Sequence, residues 1–178
     1  MSPTVINCMT ATMLAAVLGG CGLTQRVADN TTATAKAIFY KQVTTLHLDF
    51  SGRVALNTDR LDMNGLSVPT LVRIYQLRDR KALEQATYDE LLAQSDSTLG
   101  ADLLAQRAIV VKPGEGAQAS LPMEPDAQFV AVAAFFRAPD IELGSWRVVL
   151  ARNELDPDRP RVIELADNRL SVRPRDKE

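Results

Sequence analysis

From Thr45 onward the chain alternates apolar and polar residues with a period of two. Leu46, Leu48, Phe50, Val54 and Leu56 share one parity, and His47, Asp49, Ser51 and Ala55 hold the other. This spacing predicts a half-buried strand, with Gly52 as a candidate bulge. Further strands are expected over 70–77 (TLVRIYQL), 108–112 (AIVVK), 117–121 (AQASL), 146–151 (WRVVLA), 162–166 (VIELA) and 170–173 (LSVR). The stretch 129–137 (FVAVAAFFR) is apolar at both parities, so it is expected to be a central strand covered on both faces. Turn signals separate most of these segments: Pro113-Gly114, Pro122 and Pro125, Gly144-Ser145, Asp156-Pro157 and Asn168. About eight short strands punctuated in this way predict a mainly β, two-sheet sandwich.

One segment changes period. Over 81–93 (KALEQATYDELLA), Leu83, Thr87, Tyr88, Leu91 and Leu92 fall on one helical face. Leu99, Leu103 and Leu104 (TLGADLL) extend the pattern to a second short helix. A small helical insertion at about 81–104 is therefore expected between the second and third strands, as a lid over an open sandwich edge.

The opening residues follow neither pattern. No Lys, Arg, Asp or Glu precedes Arg26, and residues 9–18 (MTATMLAAVL) form a short, mostly apolar run. Ten residues are too few to span a bilayer but fit the apolar core of a signal peptide. The run ends in Leu18-Gly19-Gly20-Cys21, which resembles the lipobox of bacterial lipoproteins. That resemblance implies cleavage of a 1–20 leader, with Cys21 carrying diacylglycerol and an acylated amino group. The leader departs from the usual pattern in having no Lys or Arg near its start. Gly22 follows the cysteine where an Asp would resemble an inner-membrane retention signal, so the implied destination is the inner leaflet of the outer membrane, facing the periplasm. Residues 21–44 then read as lipidated cysteine and polar tether, with 37–44 ambiguous between tether and a first edge element. Fifteen flexible residues reach on the order of 20 Å. The sandwich domain is expected over 45–178.

Composition removes several function classes. Hydrophobic residues are 46% and charged residues 24% of the chain, which suits a globular protein. Lys and Arg number 20 against 22 Asp and Glu, too few for a general nucleic-acid binder. The two cysteines are Cys8, which leaves with the leader, and Cys21, so no internal disulfide is expected. His47 is the single histidine and is expected to face solvent. Cys–His and Ser–His–Asp arrangements and His-rich metal sites are thus excluded from expectation, and no cofactor is called for. Asp89/Glu90 and Asp156/Asp158 read as solvated surface, and Gly114-Glu115-Gly116 lies between strands rather than ahead of a helix, so it is no phosphate cradle. The expectation is a protein that is not an enzyme.

The 57–69 connection (NTDRLDMNGLSVP) is long for a compact sandwich, and long loops often carry function. Asn64-Gly65 is a turn signal, and Leu61, Met63 and Leu66 stand among Asp59, Arg60 and Asp62. Apolar tips among charges suit protein contact, because a few apolar anchors carry most binding energy. The same three side chains can equally fold back onto the sandwich, and the residues alone favour neither reading.

Taken in order, LGGC, THLDFSG followed by Ala55–Asn57, VPTLVRIYQL, TLGADLL, FVAVAAFFR and Trp146-Arg147 resemble the outer-membrane lipoproteins of type VI secretion systems, the TssJ or SciN family. No single motif is diagnostic; the order and the helical insertion carry the resemblance, from Cys21 to about Val172. It implies a transthyretin-like sandwich with a protruding loop between the first two strands. It also implies a lipoprotein that binds the periplasmic C-terminal domain of a TssM-like inner-membrane protein, in a larger complex with a TssL-like protein. The segment matching the family's contact loop includes Asn57, Asp59, Arg60, Leu61, Asp62, Met63, Asn64, Gly65 and Leu66. The alternative is a periplasmic carrier or sensor holding a small apolar ligand between its sheets, which would need a cavity with convergent polar groups.

Overall fold

The computed structural model describes residues 43–59 and 65–175. Cys21, the leader and nearly all of the tether lie outside the described residues. Eight strands run in chain order as β1 Thr45–Gly52, β2 Thr70–Leu77, β3 Leu103–Val111, β4 Gly116–Pro122, β5 Phe129–Phe135, β6 Arg147–Ala151, β7 Arg161–Ala166 and β8 Arg169–Val172. They form two four-stranded sheets, β4-β1-β7-β8 and β3-β2-β5-β6. All pairings are antiparallel except β1 with β7. The expected mainly β sandwich is what the chain forms.

The period-two reading of β1 holds in the burial of Leu46, Leu48 and Phe50, which alternate with part-exposed neighbours. These side chains and Ile163 and Leu165 of β7 supply one half of the core. The other half comes from Val72 and Ile74 of β2 and from Val130, Val132 and Ala134, their neighbours in β5. Strand β5 is buried almost throughout, as its two-sided apolar sequence predicts.

Five expectations require correction. Strand β1 stops at Gly52, so Val54 is exposed, although Leu56 is buried. Gly52 does not bulge the strand. It sits where the β3–β4 turn presses on β1: a Cβ there would lie 2.5 Å from the Lys112 carbonyl oxygen. Strand β3 begins at Leu103, five residues earlier than expected, so Leu103 and Leu104 belong to a strand and not to a second helix. The helical segment itself divides into α1 Lys81–Gln85 and α2 Tyr88–Leu99. The division follows from Thr87, whose hydroxyl accepts from the Glu90 amide while the Glu90 carboxylate accepts from the Thr87 amide. That reciprocal cap starts a new helix.

The helices cover a face, not an edge. Arg73 of β2, Gln106 of β3, Phe135 of β5 and Arg147 of β6 all touch them. Opposite Arg73 and Tyr75, strand β5 places Ala133 and Ala131, whose small side chains leave room for the helical layer. Leu83, Leu91 and Leu99 fill that space.

Candidate functional site

The described ends of the loop between β1 and β2 form a bonded stem. The Val68 amide donates to the Leu56 carbonyl at 3.2 Å, and the Leu56 amide donates to Ser67 Oγ at 3.3 Å. Asn57 sits beneath the loop, buried at 3% exposure, in the left-handed conformation with φ of 52°. Asn tolerates that region better than most residues, because its short amide bonds locally. Here Asn57 Oδ1 accepts from the Arg137 amide at 2.6 Å, and Nδ2 donates to the Pro69 carbonyl at 3.4 Å.

Arg137, at the end of β5, completes the clamp. Its Nη2 donates to the carbonyls of Asn57 and Leu66, at 3.2 and 3.0 Å. On the other side, the β7–β8 turn uses Asp167 and Asn168, both at positive φ as a two-residue hairpin demands. Asn168 Nδ2 donates to the Thr58 carbonyl at 2.7 Å, and the Asp167 amide donates to the Ala55 carbonyl at 3.0 Å. Each flank of the loop is therefore held by a neighbouring connection. The positioning roles of Arg137 and Asn168 left no signal in the sequence reading, because a polar residue in a turn looks the same whether or not it clamps another loop.

Of the loop residues singled out from sequence, Asn57 supports the loop from below, and Asp59 follows it on the half-buried flank. Gly65 adopts φ of 54°, in keeping with the turn expected there, and Leu66 is exposed. Arg60, Leu61, Asp62, Met63 and Asn64 lie outside the described residues.

The helical layer is held by arginines of a different kind. Arg147 Nη1 donates to the carbonyls of Leu83 and Ala86, and Nη2 to that of Glu84, gathering the C-terminal end of α1, where the Ala86 amide also donates to Leu83. Burial lowers the Arg147 pKa, opposed by the nearby Glu84 carboxylate. Its guanidinium also lies 4.8 Å from the Trp146 ring centroid. Arg73 Nη1 donates to the carbonyls of Leu91 and Leu92, at 2.6 and 3.1 Å. Those carbonyls are released because Gln94 kinks α2 out of helical geometry. Tyr88 packs between Phe135 and Trp146 and donates to the Phe136 carbonyl at 2.6 Å. Burial, then the neighbouring Asp89 charge, pushes its pKa up to about 12, so the phenol stays protonated and the bond persists at neutral pH.

His47 is half-buried on the outer side of β1, with Nδ1 3.0 Å from Ser120 Oγ. Among the described residues no group of three or more His, Cys, Asp or Glu is placed to hold a metal ion. No helix of the described residues is long and apolar enough to cross a membrane.

The type VI secretion lipoproteins of the VasD, EvfM and TssJ kind match residues 44–172 as a family. Among solved structures, a chain in "Type VI membrane complex" is 40% identical, with a TM-score of 0.70 over 75% of this chain and 100% of that one. A chain in "T6SS protein TssM C-terminal domain (869-1107) from EAEC" is 39% identical, with a TM-score of 0.66 over 73% of this chain and 98% of that one. The T6SS lipoprotein TssJ1 from Pseudomonas aeruginosa is 25% identical, with a TM-score of 0.60 over 75% of this chain and 98% of that one. Among curated proteins there is no significant match. With the two-sheet sandwich, its helical cover and the clamped first loop in place, the chain belongs to the type VI secretion lipoprotein family, TssJ.

Proposed function

We propose that this protein is anchored by lipid on Cys21 in the inner leaflet of the outer membrane, where it binds the periplasmic C-terminal domain of a TssM-like protein. Through that contact it fixes the type VI trans-envelope complex, which includes a TssL-like protein, to the outer membrane. Such a role needs rigidity and contact area rather than reactive groups. The observation that carries the reading is the stem of the β1–β2 loop. Asn57, Arg137 and Asn168 fix the described ends of the loop to neighbouring connections, with Leu66 exposed at its descending flank. The similarity to a chain in a structure named for a TssM C-terminal domain supports the choice of partner. Among the described residues the space between the sheets is filled mainly by buried aliphatic side chains. Of the buried polar residues on the parity of Val72 and Ile74, Gln76 is bonded to the backbone of Pro122 and Glu124, so only Thr70 is left to meet a ligand, and the carrier alternative has little support.

The test is a titration of the full-length lipoprotein in detergent against the periplasmic domain of the TssM-like protein. Replacing Leu61, Met63 and Leu66 together by Asp should weaken binding by at least about a hundredfold at unchanged melting temperature. Absence of binding by the wild type would sink the proposal.

A further inference from the structure

The exposed large apolar side chains are not scattered. Among the described residues they are Val54, Leu66, Leu92, Val110, Ile141 and Leu143. Four of the six lie in the connections at one end of the sandwich: Val54 and Leu66 between β1 and β2, Ile141 and Leu143 between β5 and β6. The pairing of Leu71 with Phe135 places the start of β2 and the end of β5 at that same end. Val110, paired with Leu71, is one step from it. Isolated exposed apolar residues need no explanation, but a concentration at one end does.

The β5–β6 connection reads Asp140-Ile141-Glu142-Leu143. Ile141 is 58% and Leu143 78% exposed, although both follow a strand whose own residues are almost wholly buried. Their display is built in. Asp140 Oδ1 accepts from the Leu143 amide at 2.9 Å, closing a local turn, and Gly144 at φ of 60° carries the chain onward. The Ser145 carbonyl then accepts from the Leu170 amide at 2.7 Å, which ties the connection to β8. Near its other end the same connection carries Arg137, the residue that clamps the ends of the β1–β2 loop. The two loops therefore share one support.

We infer that the β5–β6 turn is a second docking finger for the partner domain, with Ile141 and Leu143 as apolar anchors and Glu142 as an acidic rim. This rests on the partner reading above and deepens it. The partner face it fits is apolar and bordered by Lys or Arg, because the turn alternates acidic and apolar side chains. A site of two loops on one clamp is also stiffer than one long loop, so less order has to be gained on binding.

The test uses the same full-length protein and partner domain, with two variants. Ile141→Asp with Leu143→Asp should weaken binding by at least about thirtyfold at unchanged melting temperature, since both side chains are already in water. Glu142→Lys should weaken it by about threefold to tenfold at low salt, with the difference vanishing at high salt. Binding equal to wild type by the double variant, where the Leu61, Met63 and Leu66 variant fails to bind, would overturn the second finger and leave the first loop standing. A wild type that self-associates and a double variant that does not, with partner binding intact, would overturn the second finger and reassign the turn to contact between copies. A wild type that does not bind overturns both.

Discussion

The helical layer and the loop end are both built from connections between strands, yet they treat apolar side chains in opposite ways. Between β2 and β3, Leu83, Leu91 and Leu99 are buried against the outer face of a sheet. Between β1 and β2 and between β5 and β6, Leu66, Ile141 and Leu143 stay in water. Arginine secures both regions, but to different ends. Arg73 and Arg147 bind helix carbonyls onto the sheet, whereas Arg137 joins the two ends of a loop. The helical layer is thus part of the scaffold, while the loop end is, on the proposed reading, the surface that meets another molecule.

If that division is right, damage to the helical layer should cost stability and spare recognition. The largest effect is expected from Leu91→Ala, which empties a fully buried site in α2 and should destabilise the fold by about 3 kcal/mol. Chemical denaturation measures it, and the affinity of the folded protein for the partner domain should stay within about twofold. Impaired binding by a folded Leu91→Ala protein would break the comparison, because the helices would then belong to the interface.

A smaller effect is expected from Arg147→Met, which keeps the apolar stem over Trp146 but removes the guanidinium bonds to the carbonyls of Leu83, Glu84 and Ala86. The cost should be about 2 kcal/mol, read as a lowered melting temperature, again with binding unchanged. A neutral result would mean that water satisfies those carbonyls and that the guanidinium is not what holds α1 in place.

The sequence discloses these regions unequally. Period-two alternation and turn residues locate the strands to within a few positions, because burial on one face imposes its period directly. The exception is β3, whose first half has part-exposed leucines that mimic a helical repeat. The split of the helices is missed by a reading of helical period alone, which runs straight through Thr87, although the T-x-x-E spacing of Thr87 and Glu90 is a cap whose two hydrogen bonds are local in sequence. What is not local stays hidden. Nothing near Arg137 shows that it serves a loop some eighty residues earlier. Likewise, Ile141 and Leu143 resemble core residues until the backbone turns them outward. The loop at 57–69 is conspicuous by its length, and its support is visible only in three dimensions.

The central claim is that recognition lies at the loop end, and hydrogen exchange of the full-length lipoprotein with and without the partner domain tests it most directly. The account predicts slowed exchange over 53–69 and 136–146 in the complex, with the amides of α1 and α2 unchanged. Protection confined to the helices, or none anywhere at saturating partner, would contradict it.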